Sequence, residues 1–168
     1  IPLVYKDAGS TRLHGALTIP ASGNNPALNV TGTSNAFISK PADLVVTVAS
    51  NPGTTSSGSG FIAAGTNFNV GVQALNALGG TTPNFGQESS AETAKVTFVA
   101  LAYPTGGSNA GTLSSGSYSL SGSTDGAGTV VANFDEVGTI TLRAEIGDSD
   151  YLGTGNITGT TSGNIGRF

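Results

Sequence analysis

The sequence predicts an all-β protein, an immunoglobulin-like antiparallel β-sandwich. Three observations carry that prediction. Ser, Thr, Gly and Val dominate a chain of 168 residues with 26 Gly, while the strong helix formers are scarce, a balance that favours strands and turns. Apolar residues recur with period two in several short runs, the spacing of a half-buried strand. No ten-residue window carries a helical apolar stripe; the one candidate, Gly86 to Ala94, lacks large apolar residues to bury.

The elements follow in order. Leu44-Val45-Val46-Thr47-Val48 is a β-branched run. Asn67 to Ala74 alternates, with Phe68, Val70, Val72 and Ala74 on one side. Lys95 to Tyr103 is more continuously apolar, as for a central strand. Tyr118 with Leu120, and Val130 with Val131 and Phe134, indicate two more strands. Thr139 to Ile146 alternates again, with Ile140, Leu142, Ala144 and Ile146 inward, and Asn156 to Thr158 and Ile165 to Phe168 close a sheet edge. The Gly/Ser tracts Asn51 to Gly60 and Thr105 to Gly116 read as exposed loops, and Asp125-Gly126 as a hairpin turn. Many short strands between turn signals make a sandwich.

The chain also repeats itself. Tyr5-Lys6-Asp7-Ala8-Gly9-Ser10 matches Phe134-Asp135-Glu136-Val137-Gly138-Thr139; Leu13, His14 and Leu17 fall on Leu142, Arg143 and Ile146. Asn29 to Ser34 then falls on Asn156 to Thr161, and Ile38 and Lys40 fall on Ile165 and Arg167. The organisation expected is therefore residues 1–40 as the terminal strands of a preceding repeat, or a strand-donating extension, and residues 41–168 as one complete sandwich module. Two or three strands cannot bury an apolar face alone. Val4, Tyr5, Thr11, Leu13 and Leu17 are accordingly the expected contact surface. Its partners are neighbouring β modules of the same chain or identical subunits, with a homopolymer among the outcomes. With no Met anywhere, the chain reads as a processed product or a piece of a longer one.

Little chemistry is expected. Net charge is −4 with the six Lys and Arg scattered, against nucleic acid, and no apolar run reaches bilayer length, against membrane insertion. There is no Cys and one His, His14, so thiol chemistry and zinc sites are not expected, nor a Ser-His-Asp triad. Glu88 and Glu92 could pair for glycoside hydrolysis, but no Trp offers a sugar platform. Lys95, near Glu92 and several Asn residues, could form an intramolecular Lys–Asn amide, which needs three buried partners. Glu145 with Asp148 and Asp150, the densest acidic spot besides Asp135-Glu136, is a candidate Ca²⁺ site; the alternative is a polar turn after the strand. No other cofactor is expected.

Ala74-Leu75-Asn76-Ala77 followed by Gly79-Gly80-Thr81-Thr82-Pro83-Asn84-Phe85-Gly86, with Lys40-Pro41-Ala42, Val137 to Ile140, Tyr151-Leu152-Gly153 and the closing Gly166-Arg167-Phe168, resembles the uncharacterised C-terminal region of MshQ-type proteins. That family is associated with mannose-sensitive haemagglutinin pilus loci of Gram-negative bacteria. The resemblance implies a secreted or surface-exposed structural module without catalytic residues. A pilus-associated or filament-forming role through sheet packing is expected, the alternative being an adhesin that reads carbohydrate through its loops.

Overall fold

The computed structural model describes residues 2–116, 118–120 and 125–168. Twelve strands are assigned among them: β1 Gly9–Thr11, β2 His14–Ile19, β3 Leu28–Thr33, β4 Phe37–Ser39, β5 Asp43–Val48, β6 Asn67–Leu75, β7 Thr93–Tyr103, β8 Leu113–Ser115, β9 Tyr118–Ser119, β10 Ala127–Phe134, β11 Thr139–Ile146 and β12 Ile165–Gly166. Two four-stranded antiparallel sheets, ordered β5-β6-β10-β8 and β12-β11-β7-β9, pack face to face. This is the ABED and GFC arrangement of an immunoglobulin-like sandwich, with β9 added beside the third strand.

The core follows the period-two reading. Leu44 and Val46 of β5, Phe68, Val70, Val72 and Ala74 of β6, Val130, Ala132 and Phe134 of β10 face the four inward residues of β11, Ile140, Leu142, Ala144 and Ile146, all buried. Aromatic rings close both ends. Phe168 lies 5.2 Å from both Phe68 and Phe134, with Phe61 edge-on to Phe68 and Phe168, and Phe85 lies 5.6 Å from Tyr151 at the opposite end. Edge-on and tilted contacts of this kind set the ring quadrupoles favourably.

The continuous apolar run of β7 has a different cause from the one its composition suggests. The β7–β11 ladder slips between Thr139 and Ile140 and again between Thr141 and Leu142. Each bulge adds one residue to β7 and reverses its phase. Phe98 and Leu101, three apart, both pack on the core, and Val99 between them stays 39% exposed. Two other expectations change. The Thr105–Gly116 tract holds an edge strand, β8, paired to β10 and anchored by Ser115 Oγ donating to the Val96 carbonyl. Asp125-Gly126 has the two positive φ values of a hairpin turn, 59° and 69°. However, it leads into β10 from β9, which lies in the other sheet, so it joins layers rather than paired strands. The Asn51–Gly60 tract has no strand but is tied down: Thr139 Oγ1 donates to the Thr54 carbonyl and Asn51 bonds to Asn164 and Gly166.

Residues 2–40 add to neither large sheet. β1 pairs with β4 and β2 with β3, forming a ribbon of its own. Both faces of β2 and β3 are exposed throughout. Its backbone nevertheless copies the end of the chain. Leu13 N–H donates to Ser34 Oγ, Ser34 N–H to the Leu13 carbonyl, and Ser34 Oγ–H to the Asn35 carbonyl. Leu142, Ser162 and Gly163 make the same three bonds. Ala16 pairs with Thr31 as Glu145 bridges Thr158. Ala8 N–H donates to Asp7 Oδ1, and Val137 N–H to Glu136 Oε1, each at 2.8 Å. The geometry matches Ser34 with Ser162, one residue beyond the ungapped alignment.

Candidate functional site

The loop after β6 carries the most distinctive polar spacing in the sequence, and it is where the ribbon meets the sandwich. Asn76 organises it. Its Oδ1 accepts the N–H groups of Leu78 and Gly80, while its Nδ2 donates to the Lys6 carbonyl at 2.8 Å and the Thr81 carbonyl at 3.4 Å. One side chain thus satisfies the backbone of a tight loop, as Asn commonly does in turns, and grips a second segment. Thr82, fully buried, donates to the Ala74 carbonyl, and Gly126 is held against it; a Cβ there would stand 2.5 Å from the Thr82 carbonyl oxygen. The Asn84 N–H donates to Asp7 Oδ1 at 3.0 Å. Ala8 is thereby held inside the core, and Lys40 Nζ reaches the Thr154 carbonyl on the other side of the ribbon's root.

Below this clamp Phe85 is buried against Tyr151, whose hydroxyl donates to Glu88 Oε1 at 2.8 Å; Glu88 Oε2 accepts the Gly86 N–H. Both Glu88 oxygens are therefore committed to structure. Burial raises the Tyr151 hydroxyl well above its ordinary range, and the Glu88 hydrogen bond and charge add to that. Beside them lies an open hollow of about 420 Å³ lined by Glu92, Thr93, Asp148, Asp150 and Leu152 among others. Glu92 is only 8% exposed. Desolvation first, then the charges of Asp148, Glu88 and Asp150, push its carboxyl up to about 7.

The three residues expected to hold calcium do not converge. Glu145 faces Lys95 at 3.8 Å and accepts a bond from Asn156, while Asp148 and Asp150 accept the N–H groups of Asp150 and Gly155 in the turn that follows. Among the described residues no group of three His, Asp or Glu side chains is arranged to hold an ion. Lys95, Glu145 and Asn156 do stand in a row, but the Lys95 side chain is about a third exposed (35%) and ion-paired. His14 Nδ1 meets Thr33 Oγ1 at 2.9 Å across an exposed strand pair. Val4, Tyr5, Leu13 and Leu17 are exposed and Thr11 is half-buried. Asn76, Asp7 and Asn84 are functional in the sense of joining two parts of the chain; the sequence placed Asn76 and Asn84 in the resembling stretch and Asp7 in the repeat without bringing them together. The signal was present: two Asn and two Gly within nine residues, next to a buried aromatic.

The family model described as DUF6701, second domain, matches residues 40–133. This is more than half of the chain, and the protein belongs to the DUF6701 family. No curated protein and no solved structure matches it.

Proposed function

We propose that this chain is a non-enzymatic, extracellular structural module of a repetitive bacterial surface protein, of the pilus-associated kind to which its sequence is similar. Residues 41–168 form the repeating unit, and residues 1–40 end the unit before it. One observation carries the reading: the ribbon repeats several bonds of the module's own closing segments, from Asp7–Ala8 to Ser34–Asn35. The Asn76 and Asn84 clamp then fixes the next sandwich to its root. Sheet ladders and a clamped junction transmit load along a string of sandwiches, which is what a stalk or filament requires. The two long loops support this over glycan binding. They carry no aromatic ring for a sugar to stack on, and one is fastened to the C-terminal strands.

Small-angle scattering on proteins with one, two and three consecutive units tests the proposal. The maximum dimension should grow by a constant increment per unit. Compact association, or glycan binding abolished by deleting residues 51–60 or 105–116, would replace this role with that of an adhesin.

A further inference from the structure

We infer that the exposed ribbon Gly9–Ser39 is the closing hairpin of a second sandwich, and that it takes as partner a sandwich body like residues 41–131, preceding Leu3 in the same polypeptide. The inference rests on the modular reading above and names the partner.

The interface already exists once in the molecule. Leu142, Ile146 and Ile157 are buried at 0%, 0% and 4% exposure, while their counterparts Leu13, Leu17 and Val30 are exposed at 47%, 61% and 48%. β11 pairs with β7 along one edge, whereas among the described residues β2 pairs with β3 alone. The glycines identify what is missing. A Cβ on Gly159 would overlap the carbonyl of Leu44 in β5, and a Cβ on Gly138 would stand 2.5 Å from the Tyr103 carbonyl oxygen at the end of β7. Their counterparts Gly32 and Gly9 have nothing within 4 Å. Glycine inside a strand weakens it unless another backbone must come close. Gly32 is such a glycine: apart from its ladder partner Gly15, no described backbone stands where its Cβ would point. The missing neighbours are thus a strand equivalent to β5 over Gly32 and one equivalent to β7 beside β2. Thr33 adds a polar counterpart: the equivalent Thr160 donates its N–H and hydroxyl to Asp43 of β5. Leu3-Val4-Tyr5 correspond to Ala132-Asn133-Phe134, the end of β10, and Leu3 and Tyr5 stand exposed where Ala132 and Phe134 are buried. A β10-like strand therefore leads into the ribbon from its N-terminal side. A second copy of this chain fits poorly, because its own place is filled by the buried face of β11.

The protein has no Trp, so Leu17→Trp gives a clean reporter. It is placed in the 168-residue chain and in a tandem chain with a copy of residues 41–131 joined directly to Leu3. In the tandem chain, emission from the introduced indole should shift to the blue, acrylamide quenching should fall, and amides of residues 14–19 should exchange about 100-fold more slowly or better. An indole equally accessible in both chains overturns the inference, whether the added copy folds without the ribbon or stays unfolded beside it. Burial of the indole in the 168-residue chain that depends on concentration also overturns it, making a second copy the partner. Gly32→Ala checks the result without the reporter: harmless in the single chain and destabilising in the tandem. None of these readouts depends on the overall shape of the assembled protein. Failure here therefore removes residues 1–40 as the end of a preceding unit and leaves the stalk role of the sandwich to be judged by scattering, while failure there leaves this interface standing.

Discussion

Gly159 lies directly beneath the carbonyl group of Leu44, with no room for a Cβ between them. The contact is between the backbone of β5 and that of the segment bridged to β11, so neither can swing aside as a long side chain could. Gly159→Ala must push the Asn156–Thr160 segment off β5, straining the bonds from Thr160 to Asp43. A loss of about 3 kcal/mol or more is expected, at the upper end of overpacking costs. Gly32→Ala, at the matching position with open space around it, should change the stability of the 168-residue chain by less than about 1 kcal/mol, and in the favourable direction. Urea unfolding of both variants measures the contrast; equal costs would mean that the crowding at Gly159 is not real.

The junction depends on the Asn76 side chain and on the Asn84 backbone. Asn76→Ala removes the acceptor for Leu78 and Gly80 and the donor to Lys6 and Thr81. At roughly 0.5–1.5 kcal/mol net per bond, and with partners open to water, a total near 2 kcal/mol is expected. Hydrogen exchange should quicken at Leu78 and Gly80. Asn84→Ala keeps the N–H that binds Asp7 and should be close to neutral, whereas Asp7→Ala deprives both Asn84 and Ala8 of their acceptor and should loosen the ribbon's root.

Glu92 makes stability depend on pH in the direction opposite to most carboxylates. Its folded value, about 7, lies above the ordinary 4.5 of the unfolded chain. The folded state therefore holds a proton that the unfolded state has released. The stabilisation is complete below about pH 4.5 and disappears as pH rises through 7. Tm should fall between pH 5 and pH 8, and Glu92→Gln should flatten that slope by keeping the group neutral throughout. A slope unchanged in Glu92→Gln assigns the titration to other groups.

Much of the sandwich was legible because its strands obey one rule. Phe68-x-Val70-x-Val72-x-Ala74 and Ile140-x-Leu142-x-Ala144-x-Ile146 alternate strictly, and all eight are buried. Where the ladder slips, the rule hides. The bulges of β7 exist only in the pairing with β11, so the sequence of β7 alone looks like a strand buried on both faces. β8 was invisible for another reason: Leu113-Ser114-Ser115 has one apolar residue, and it is a strand because β10 and the Val96 carbonyl hold it there. The clamp shows the same limit. Asn76 and Asp7 are 69 positions apart, and their neighbourhood is set by tertiary packing rather than by any local pattern.

Tyr151 joins the loop after β11 to the segment between β6 and β7, and it does so by two separable means. Its ring is fully buried against Phe85, and its hydroxyl bonds to a Glu88 oxygen. Tyr151→Phe keeps the ring and removes the bond. Because the acceptor is a carboxylate, the loss should be about 1.5–3 kcal/mol. Glu88 then loses one donor while keeping the Gly86 N–H, so its carboxylate stays seated. Tyr151→Ala also removes the ring and leaves a cavity beside Phe85, and about 4 kcal/mol is expected, as for aromatic truncation in a core. If the two variants unfold at the same urea concentration, the ring adds nothing to the hydroxyl, and the aromatic closure of this end of the sandwich is not what holds the two loops together.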